Sequence, residues 1–395
     1  MTDNLKTKNG INTELKDVSS AGLVGTRKLT VAEMFCGPGG IGIAVNKARI
    51  KGMSFRHIWS TDYDPSACET YRRNVLRRSP GAVCICRDVR SLDISSLEPA
   101  DGFLFGFPCN DFSIVGEGKG LEGRYGNLYK YGVEYISNAN PLFFVAENVS
   151  GLRSANDGEA FRNILNALCN AGRFGYTVTA HLYKFEEYGI PQIRHRYILV
   201  GIRGDLGKSF DVPAPSYKTT TCSEALANIP ESASNQEPVK ISPVVMERLC
   251  YIRPGMNIWQ AQNNGELPER LQLNVKNTRL SQIYRRLDPD RPAYTVTGSG
   301  GGGTYMYHWD APRALTNRER ARLQTFPDDF VFYGSAQSVR KQIGMAVPCE
   351  GARIILVALL KTLAGRKYKN IQASVGVFGA KTVRSAESDE NCECR

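Results

Sequence analysis

Residues 29–48 constrain the fold more than any other stretch. Leu29-Thr30-Val31-Ala32-Glu33-Met34-Phe35 is a largely apolar run of strand length, and it feeds directly into Cys36-Gly37-Pro38-Gly39-Gly40. Ile41, Ile43, Ala44, Val45 and Ala48 then recur at helical spacing. A strand, a glycine-rich turn and a helix, in that order, open a Rossmann-like unit, in which glycines let the backbone approach a ligand and the helix N-terminus faces it. The turn is not G-x-G-x-x-G, and no G-K-[ST] follows it. Neither a dinucleotide nor a triphosphate is therefore the natural ligand.

The strand-and-turn pattern continues. Phe55–Thr61 is expected as a second strand ending at Asp62-Tyr63, where an acid meets a ribose hydroxyl pair and an aromatic ring stacks on an adenine. Ala82–Cys86 is a third, followed by Asp88-Val89, suited to the adenine edge. The fourth, Ala100–Phe105, runs into Gly106-Phe107-Pro108-Cys109-Asn110-Asp111-Phe112-Ser113, and glycines at 116, 118, 120, 123 and 126 then make a hinged loop. Ligands gather at the carboxyl ends of strands in an open α/β sheet, so Cys109 is a candidate nucleophile. A helix over 127–137 leads to a fifth strand, Pro141–Ala146, ending at Glu147-Asn148-Val149. If the fourth and fifth strands are neighbours, Glu147 lies beside Cys109. Glu159–Asn170 is an amphipathic helix with Phe161, Ile164, Leu165 and Leu168 on one face. Tyr176–Tyr188 and Tyr197–Gly201 read as strands. Arg194 and Arg196, two apart in the extended segment before the latter, point the same way as an anion clamp. Arg72, Arg73, Arg77 and Arg78 decorate a solvated helix face.

The 395 residues allow two domains, and 42% hydrophobic with 23% charged content describes an ordinary globular chain. A net charge of +11 favours a polyanionic partner, nucleic acid first. No unbroken run of 18 apolar residues predicts a membrane span, and the polar leader 1–28 lacks the apolar core of a signal peptide. Eleven cysteines without C-x-x-C pairs, and only four histidines, argue against a metal site and for reduced thiols in a cytoplasm. After Gly204 the character changes. Residues 205–240 are rich in Pro, Ser, Thr and Asn and read as a linker or loop-built region. Residues 241–290 carry many amides and basic groups, among them Arg253, Arg270, Lys276 and Arg279, the side-chain types that read base edges and phosphates. Between 270 and 325, ten Lys and Arg face four Asp and Glu, so a basic face lies late in this region. Thr316 with Glu319 forms a helix-starting capping box, Pro348 precedes an apolar helix over 352–363, and the tail turns polar from Gly379.

From about Leu29 to Leu363 the chain resembles the DNA (cytosine-5) methyltransferases of the prokaryotic modification type. Phe35-Cys36-Gly37-Pro38-Gly39-Gly40 is similar to the family's cofactor loop, Gly106-Phe107-Pro108-Cys109 to its Pro-Cys block, Glu147-Asn148-Val149 to its E-N-V block and Gln192-Ile193-Arg194-His195-Arg196 to its Q-x-R-x-R block. Arg291-Pro292 opens the block after the target-recognition region, and Gln342-Ile343-Gly344-Met345-Ala346-Val347 resembles the last block. Three departures stand out: Met345 replaces the usual Asn, Asn110 the usual Gln, and Arg124 lies one position early in the mobile loop.

The resemblance implies an α/β fold: a Rossmann-like S-adenosylmethionine-dependent methyltransferase sheet with a smaller, irregular target-recognition lobe. The expected division is a flexible leader 1–28, a catalytic and cofactor-binding large domain 29–204, a small target-recognition domain 205–330, a return to the large domain over 331–372 and a polar tail 373–395. S-adenosylmethionine is the implied cofactor, lined by Phe35, Gly37, Pro38, Gly39, Gly40, Ile41, Asp62, Tyr63, Asp88, Val89, Pro108, Leu128 and Ala346. Asn110, Ser113, Arg253, Arg270, Lys276 and Arg279 are expected at the DNA.

The implied reaction needs a thiolate at C6 of cytosine, because C5 is too weak a nucleophile unaided; that thiolate is assigned to Cys109. Glu147 is assigned to N3, where charge develops. Arg194 and Arg196 hold the base carbonyl, Glu147 and the nearby phosphate. The target base must leave the stack. The expected substrate is a short specific sequence in duplex DNA, and the expected setting a monomeric cytoplasmic enzyme, bacterial or phage-encoded, with a separately acting restriction endonuclease as possible companion. A tRNA cytosine-5 methyltransferase and a catalytically silent DNA-binding homologue are the alternatives that these residues leave open.

Overall fold

The computed structural model describes residues 27–107, 127–149, 158–274 and 281–379. The strands are β1 (Arg27–Met34), β2 (Arg49–Ile50), β3 (Met53–Asp62), β4 (Val83–Cys86), β5 (Gly102–Phe105), β6 (Phe143–Val149), β7 (Tyr176–Lys184), β8 (His195–Arg203), β9 (Val212–Pro213), β10 (Asn370–Ile371) and β11 (Gly376–Phe378). The helices are α1 (Gly40–Lys47), α2 (Pro65–Asn74), α3 (Tyr129–Ala139), α4 (Glu159–Cys169), α5 (Cys222–Leu226), α6 (Pro243–Cys250), α7 (Ile258–Asn263), α8 (Asn317–Leu323), α9 (Ala336–Met345) and α10 (Cys349–Leu363).

One sheet, ordered β11-β7-β8-β6-β5-β1-β3-β2 with β4 also on β3, organises the chain. β4, β3, β1, β5 and β6 run parallel, β8 runs antiparallel to β6, and β7 runs antiparallel to β8 and so in the direction of β6. The parallel strands are apolar on both faces because both faces are covered. One face packs Phe103, Phe105, Phe144 and Trp59 against Tyr135 of α3 and Ile164 and Leu168 of α4. The other packs Val31, Leu104, Val145 and Val200 against Ala44 of α1 and Ile355 and Leu359 of α10. A separate small core, from Leu249 and Ile258 to Tyr307 and Ala314, holds the amide-rich region together.

The structure differs from the sequence reading at several points. β6 continues through Glu147 to Val149 because it pairs along its whole length with β8. The long strand expected over 176–188 stops at Lys184, and Phe185–Tyr188 turns as a 3-10 segment. Residues 205–240 are not merely a linker: β9 pairs with β10 near the C-terminus, and α5 starts in a capping box at Thr221. Within the expected tail, β11 adds to the sheet edge on β7. Residues 315–330, expected in the small lobe, pack through Leu315, Ala321, Phe326 and Phe330 with Tyr71 of α2 and Ile343 of α9. Ala336–Leu363 passes a length-and-hydropathy test for crossing a membrane, yet its apolar window is mostly buried in this fold, and Arg340, Lys341, Glu350 and Arg353 interrupt it as an apolar run.

Candidate active site

The parallel strands deliver their carboxyl ends to one edge of the sheet. After β1 the chain turns through Phe35, Gly37 and Gly39, at φ of 58°, 51° and 105°. At Gly39 the left-handed backbone and the packing both demand glycine, since a Cβ would stand 2.5 Å from Val75. At Gly40 a Cβ would stand 2.3 Å from the Val347 carbonyl oxygen. The turn is thus clamped between α2 and the break that precedes α10. Asp62, at the end of β3, fixes its shape. Its Oδ2 accepts the Gly37 N–H at 2.8 Å and its Oδ1 the Asp64 N–H at 3.0 Å. Burial pushes the Asp62 carboxyl above its ordinary pKa, against the pull of those two hydrogen bonds.

A cleft lies over this turn, lined by Phe35, Gly37, Pro38, Gly40, Ile41, Asp62, Tyr63, Met345 and Ala346 and reaching Gly106 and Glu147. A second is lined by Asp88, Val89 and Leu128, and shares Phe35, Asp62 and Tyr63 with the first. The expected cofactor residues are therefore brought together around two adjoining clefts at the carboxyl ends of the strands. Gly39 lies below the first cleft as support, and Pro108 lies outside the described residues. Asp88 is held by Arg90, whose Nε is 2.9 Å from Oδ1 and Nη2 2.5 Å from Oδ2. Tyr63 is 53% exposed, and the Lys341 ammonium covers it, 3.2 Å from its hydroxyl.

Under the turn lies a buried polar group of three. The Tyr71 hydroxyl donates to Glu33 Oε2 at 2.5 Å and lies 3.3 Å from His57 Nδ1, while His57 Nε2 is 3.2 Å from the Gly42 carbonyl. Burial raises the Glu33 carboxyl to about 8 and lowers His57 to about 4. An acid in an otherwise apolar strand was the sequence signal for this group.

At the catalytic end, β5 and β6 are parallel neighbours, with Phe105 opposite Ala146. This sets Gly106 beside Glu147, whose Oε2 would be 3.4 Å from a Cβ at that glycine. Arg196 Nε lies 3.1 Å from Glu147 Oε1. Asn148, which the sequence reading gave no role, donates through Nδ2 to the Phe107 carbonyl at 3.2 Å and so anchors the start of the Pro-Cys segment. Cys109, Asn110 and Ser113 lie outside the described residues.

The two arginines do not share a face. β8 begins at His195, so Arg194 precedes the strand. Arg194, 2% exposed, donates to the carbonyls of Val296 (3.0 Å) and Gly344 (3.1 Å). Gln192 is also buried: it accepts the Val296 N–H and donates to the Leu323 carbonyl. The first half of the Q-x-R-x-R block therefore ties the 291–297 segment and α8–α9 to the sheet, and Arg196 alone reaches the carboxylate. Arg253 is paired with Glu266 at 3.0 Å, and Arg270 with Glu247, both on the small lobe. Lys276 and Arg279 lie outside the described residues.

A Rossmann-like sheet, a glycine turn under two adjoining clefts, and a carboxylate at the carboxyl end of the strand beside the Pro-Cys segment define an S-adenosylmethionine-dependent methyltransferase. The family of C-5 cytosine-specific DNA methylases matches residues 29–361, and the chain belongs to it. It is 56% identical over 358 residues to the Type II methyltransferase M.BbvI of Brevibacillus brevis, covering 88% of this chain and 94% of that one. It is 39% identical over 337 residues to the Type II methyltransferase M.NgoFVII of Neisseria gonorrhoeae, covering 82% and 85%. Among solved structures, it resembles the Entamoeba histolytica methyltransferase EhMeth in fold, with a TM-score of 0.59 at 16% identity, over 86% of this chain and 99% of that one. The chain is a DNA (cytosine-5-)-methyltransferase; its methyl donor is S-adenosylmethionine and its substrate duplex DNA. The tRNA and silent-homologue alternatives fall with this assignment.

Proposed function

We propose that this chain methylates C5 of a flipped cytosine in one short duplex sequence through a covalent bond from Cys109 to C6. The observation that carries the reading is the single cleft joining Asp62 and Tyr63 to Gly106 and Glu147. Phe35, Gly37, Asp62, Tyr63, Asp88, Val89 and Leu128 would hold S-adenosylmethionine. Gly37 fits that role, since nothing lies within 4 Å of where its Cβ would stand. When bound, the cofactor supplies an electrophilic methyl group.

The Cys109 thiolate adds to C6, and the electron pair of the C5=C6 bond becomes available at C5 for attack. Glu147 faces N3 and stabilises the charge that develops there, while Arg196 holds Glu147 in place. After transfer, the C5 proton leaves to a base, the double bond re-forms and the thiolate is released. Arg194 and Gln192 act as positioning residues that fix the 291–297 segment. The part of 205–330 with its own core, about Val239–Ala314, selects the DNA sequence. The enzyme works as a cytoplasmic bacterial monomer alongside a separately acting restriction endonuclease.

The test is transfer of labelled methyl from S-adenosylmethionine to unmethylated duplex DNA, followed by bisulfite sequencing. Methylated cytosines confined to one short motif are expected. Label on RNA alone, or none, overturns the reading.

A further inference from the structure

Many exposed arginines of this chain stand beside acids. Arg72 and Arg73 pair with Glu69, Arg77 with Asp329 and Arg270 with Glu247. One cluster of cations does not follow this pattern. Arg49, Lys51, Lys208, Arg366, Lys367 and Lys369 are all exposed. Among the described residues, the lysines that meet a carboxylate are Lys47, Lys184 and Lys341, and none of the six cations does so.

The six come from three separate stretches that the fold brings together. Lys208 donates through Nζ to the carbonyl of Leu363, the last residue of α10, at 2.6 Å. Arg366 donates through Nη2 to the Lys51 carbonyl at 2.7 Å, beside β2, which carries Arg49. The Lys369 carbonyl accepts the Ala214 N–H at 3.0 Å, where β9 and β10 pair. Lys208, Arg366 and Lys367 line one open hollow with Asp211, its only acid among the described residues. Asp205, close by in the chain, is bound to Arg203. Backbone carbonyls thus hold Lys208 and Arg366 in place without cancelling their charge, and most of the Arg366 donors stay free.

This surface lies far from the catalytic edge. α10 starts at Cys349, just past the Val347 carbonyl that clamps Gly40, and runs for 15 residues, about 22 Å at 1.5 Å per residue. Its far end packs with β2 and β9, where β3 is about to begin, so the six cations stand at the amino ends of the parallel strands. A duplex engaged at Glu147 lies on the opposite edge. The hollow also lacks a platform for unpaired bases. Its one aromatic ring, Tyr368, donates its hydroxyl to the Asp211 carbonyl at 2.7 Å, and the Lys361 ammonium stands 5.8 Å over the ring. Fixed charge without a stacking ring suits the phosphates of a duplex rather than a single strand.

We propose that this cationic surface binds the phosphate backbone of a second duplex segment, separate from the one being methylated. The substrate itself supplies the partner, since one long duplex brings many segments near each bound enzyme. The contact reads no base and is held by charge alone. Holding two segments at once lets the enzyme pass from one to the other without full release. The inference goes beyond the proposed reaction, which needs a single duplex.

The test is a bridging assay with the full-length protein. A duplex carrying the methylated motif is immobilised and saturated with enzyme, and a fluorescent duplex without the motif is then titrated across a salt series. The double variant Lys367→Glu, Lys369→Glu is compared with the unaltered chain and with Arg56→Glu, Arg173→Glu, which removes the same charge from exposed positions elsewhere. The unaltered chain should capture the fluorescent duplex. The 367/369 variant should lower the slope of log Kd against log salt for that duplex by about two, one for each lost phosphate contact. Its binding and single-turnover methylation of the immobilised motif should stay within about twofold, which also shows that it folds. No capture by the unaltered chain overturns the proposal. So does capture that survives in the 367/369 variant, as bridging by two copies of the chain would, or an equal loss in the 56/173 control. Preferential capture of single-stranded RNA of the same length overturns the choice of duplex. If the unaltered chain labels no DNA, the activity reading has failed; if it labels DNA but captures no second duplex, only this surface has.

Discussion

Arg196 Nε stands 3.1 Å from Glu147 Oε1, across the antiparallel pair of β8 and β6, with both side chains largely buried. The guanidinium charge holds the carboxylate beside Gly106, where the segment toward Cys109 begins. Glu147→Gln is expected to lower kcat by about 10²–10⁴-fold, the usual contribution of a positioned acid–base group, with little change in KM for S-adenosylmethionine. Arg196→Met leaves the largely buried carboxylate without its ion partner, and kcat should fall by about 10–100-fold. Single-turnover methyl transfer reads both; wild-type rates in Arg196→Met would show that Glu147 holds its place unaided.

Cys109→Ala should abolish methyl transfer, because no other group in the proposed route adds to C6. The variant should still bind duplex DNA and S-adenosylmethionine. A denaturation-resistant complex on duplex carrying 5-fluorocytosine, formed by the unaltered chain and missing in the variant, would locate the covalent bond. Residual turnover in Cys109→Ala would rule out the thiolate route.

The cofactor side of this site was legible because it is written in local signals. Glycines at a strand end, an acid at Asp62 and a second at Asp88 each follow from what one strand end needs, and the parallel pairing of β5 with β6 made Glu147 the neighbour of Gly106. What the sequence hid were long-range contacts. Arg194 and Arg196 look equivalent as neighbours in an extended run, but the start of β8 between them sends one into the Val296 and Gly344 carbonyls and the other to Glu147. β11 was hidden because Gly376–Phe378 is short and becomes a strand only by pairing with β7. The apolar window over α9 and α10 likewise gains its meaning only from the packing that buries most of it.

Asp62 acts in two places at once. It shapes the turn through the Gly37 and Asp64 amides, and it lines both clefts. Asp62→Asn turns one acceptor into a donor aimed at an N–H. KM for S-adenosylmethionine is expected to rise by about 10–100-fold, the cost of one misdirected buried polar group, while Kd for DNA stays within about twofold. Equal losses for cofactor and DNA would instead mark Asp62 as a general fold residue.

Glu33, Tyr71 and His57 make stability depend on pH in two opposing ways. Glu33 has an ordinary carboxyl value of 4.5 and is raised by burial to about 8, so its contribution is whole below 4.5 and lost as pH climbs toward 8. His57 falls from 6.5 to about 4 through burial, so its contribution is whole above 6.5 and lost as pH drops toward 4. Between 4.5 and 6.5 the two slopes oppose; between 6.5 and 8 only the Glu33 slope acts. The stability of the unaltered chain relative to Glu33→Gln should therefore fall with rising pH in that upper window, at up to about 1.4 kcal/mol per pH unit. Urea unfolding at several pH values from about 5.5 to 8.5 measures it. Tyr71 also lies beneath Gly39 and Gly42, where Cβ atoms would stand 3.1 and 2.8 Å from its ring and hydroxyl. Ionising Glu33 should accordingly loosen the cofactor turn, so that S-adenosylmethionine affinity falls above about pH 8 in the unaltered chain and holds in Glu33→Gln. Parallel unfolding curves for the two proteins would mean that Glu33 is already ionised in the fold.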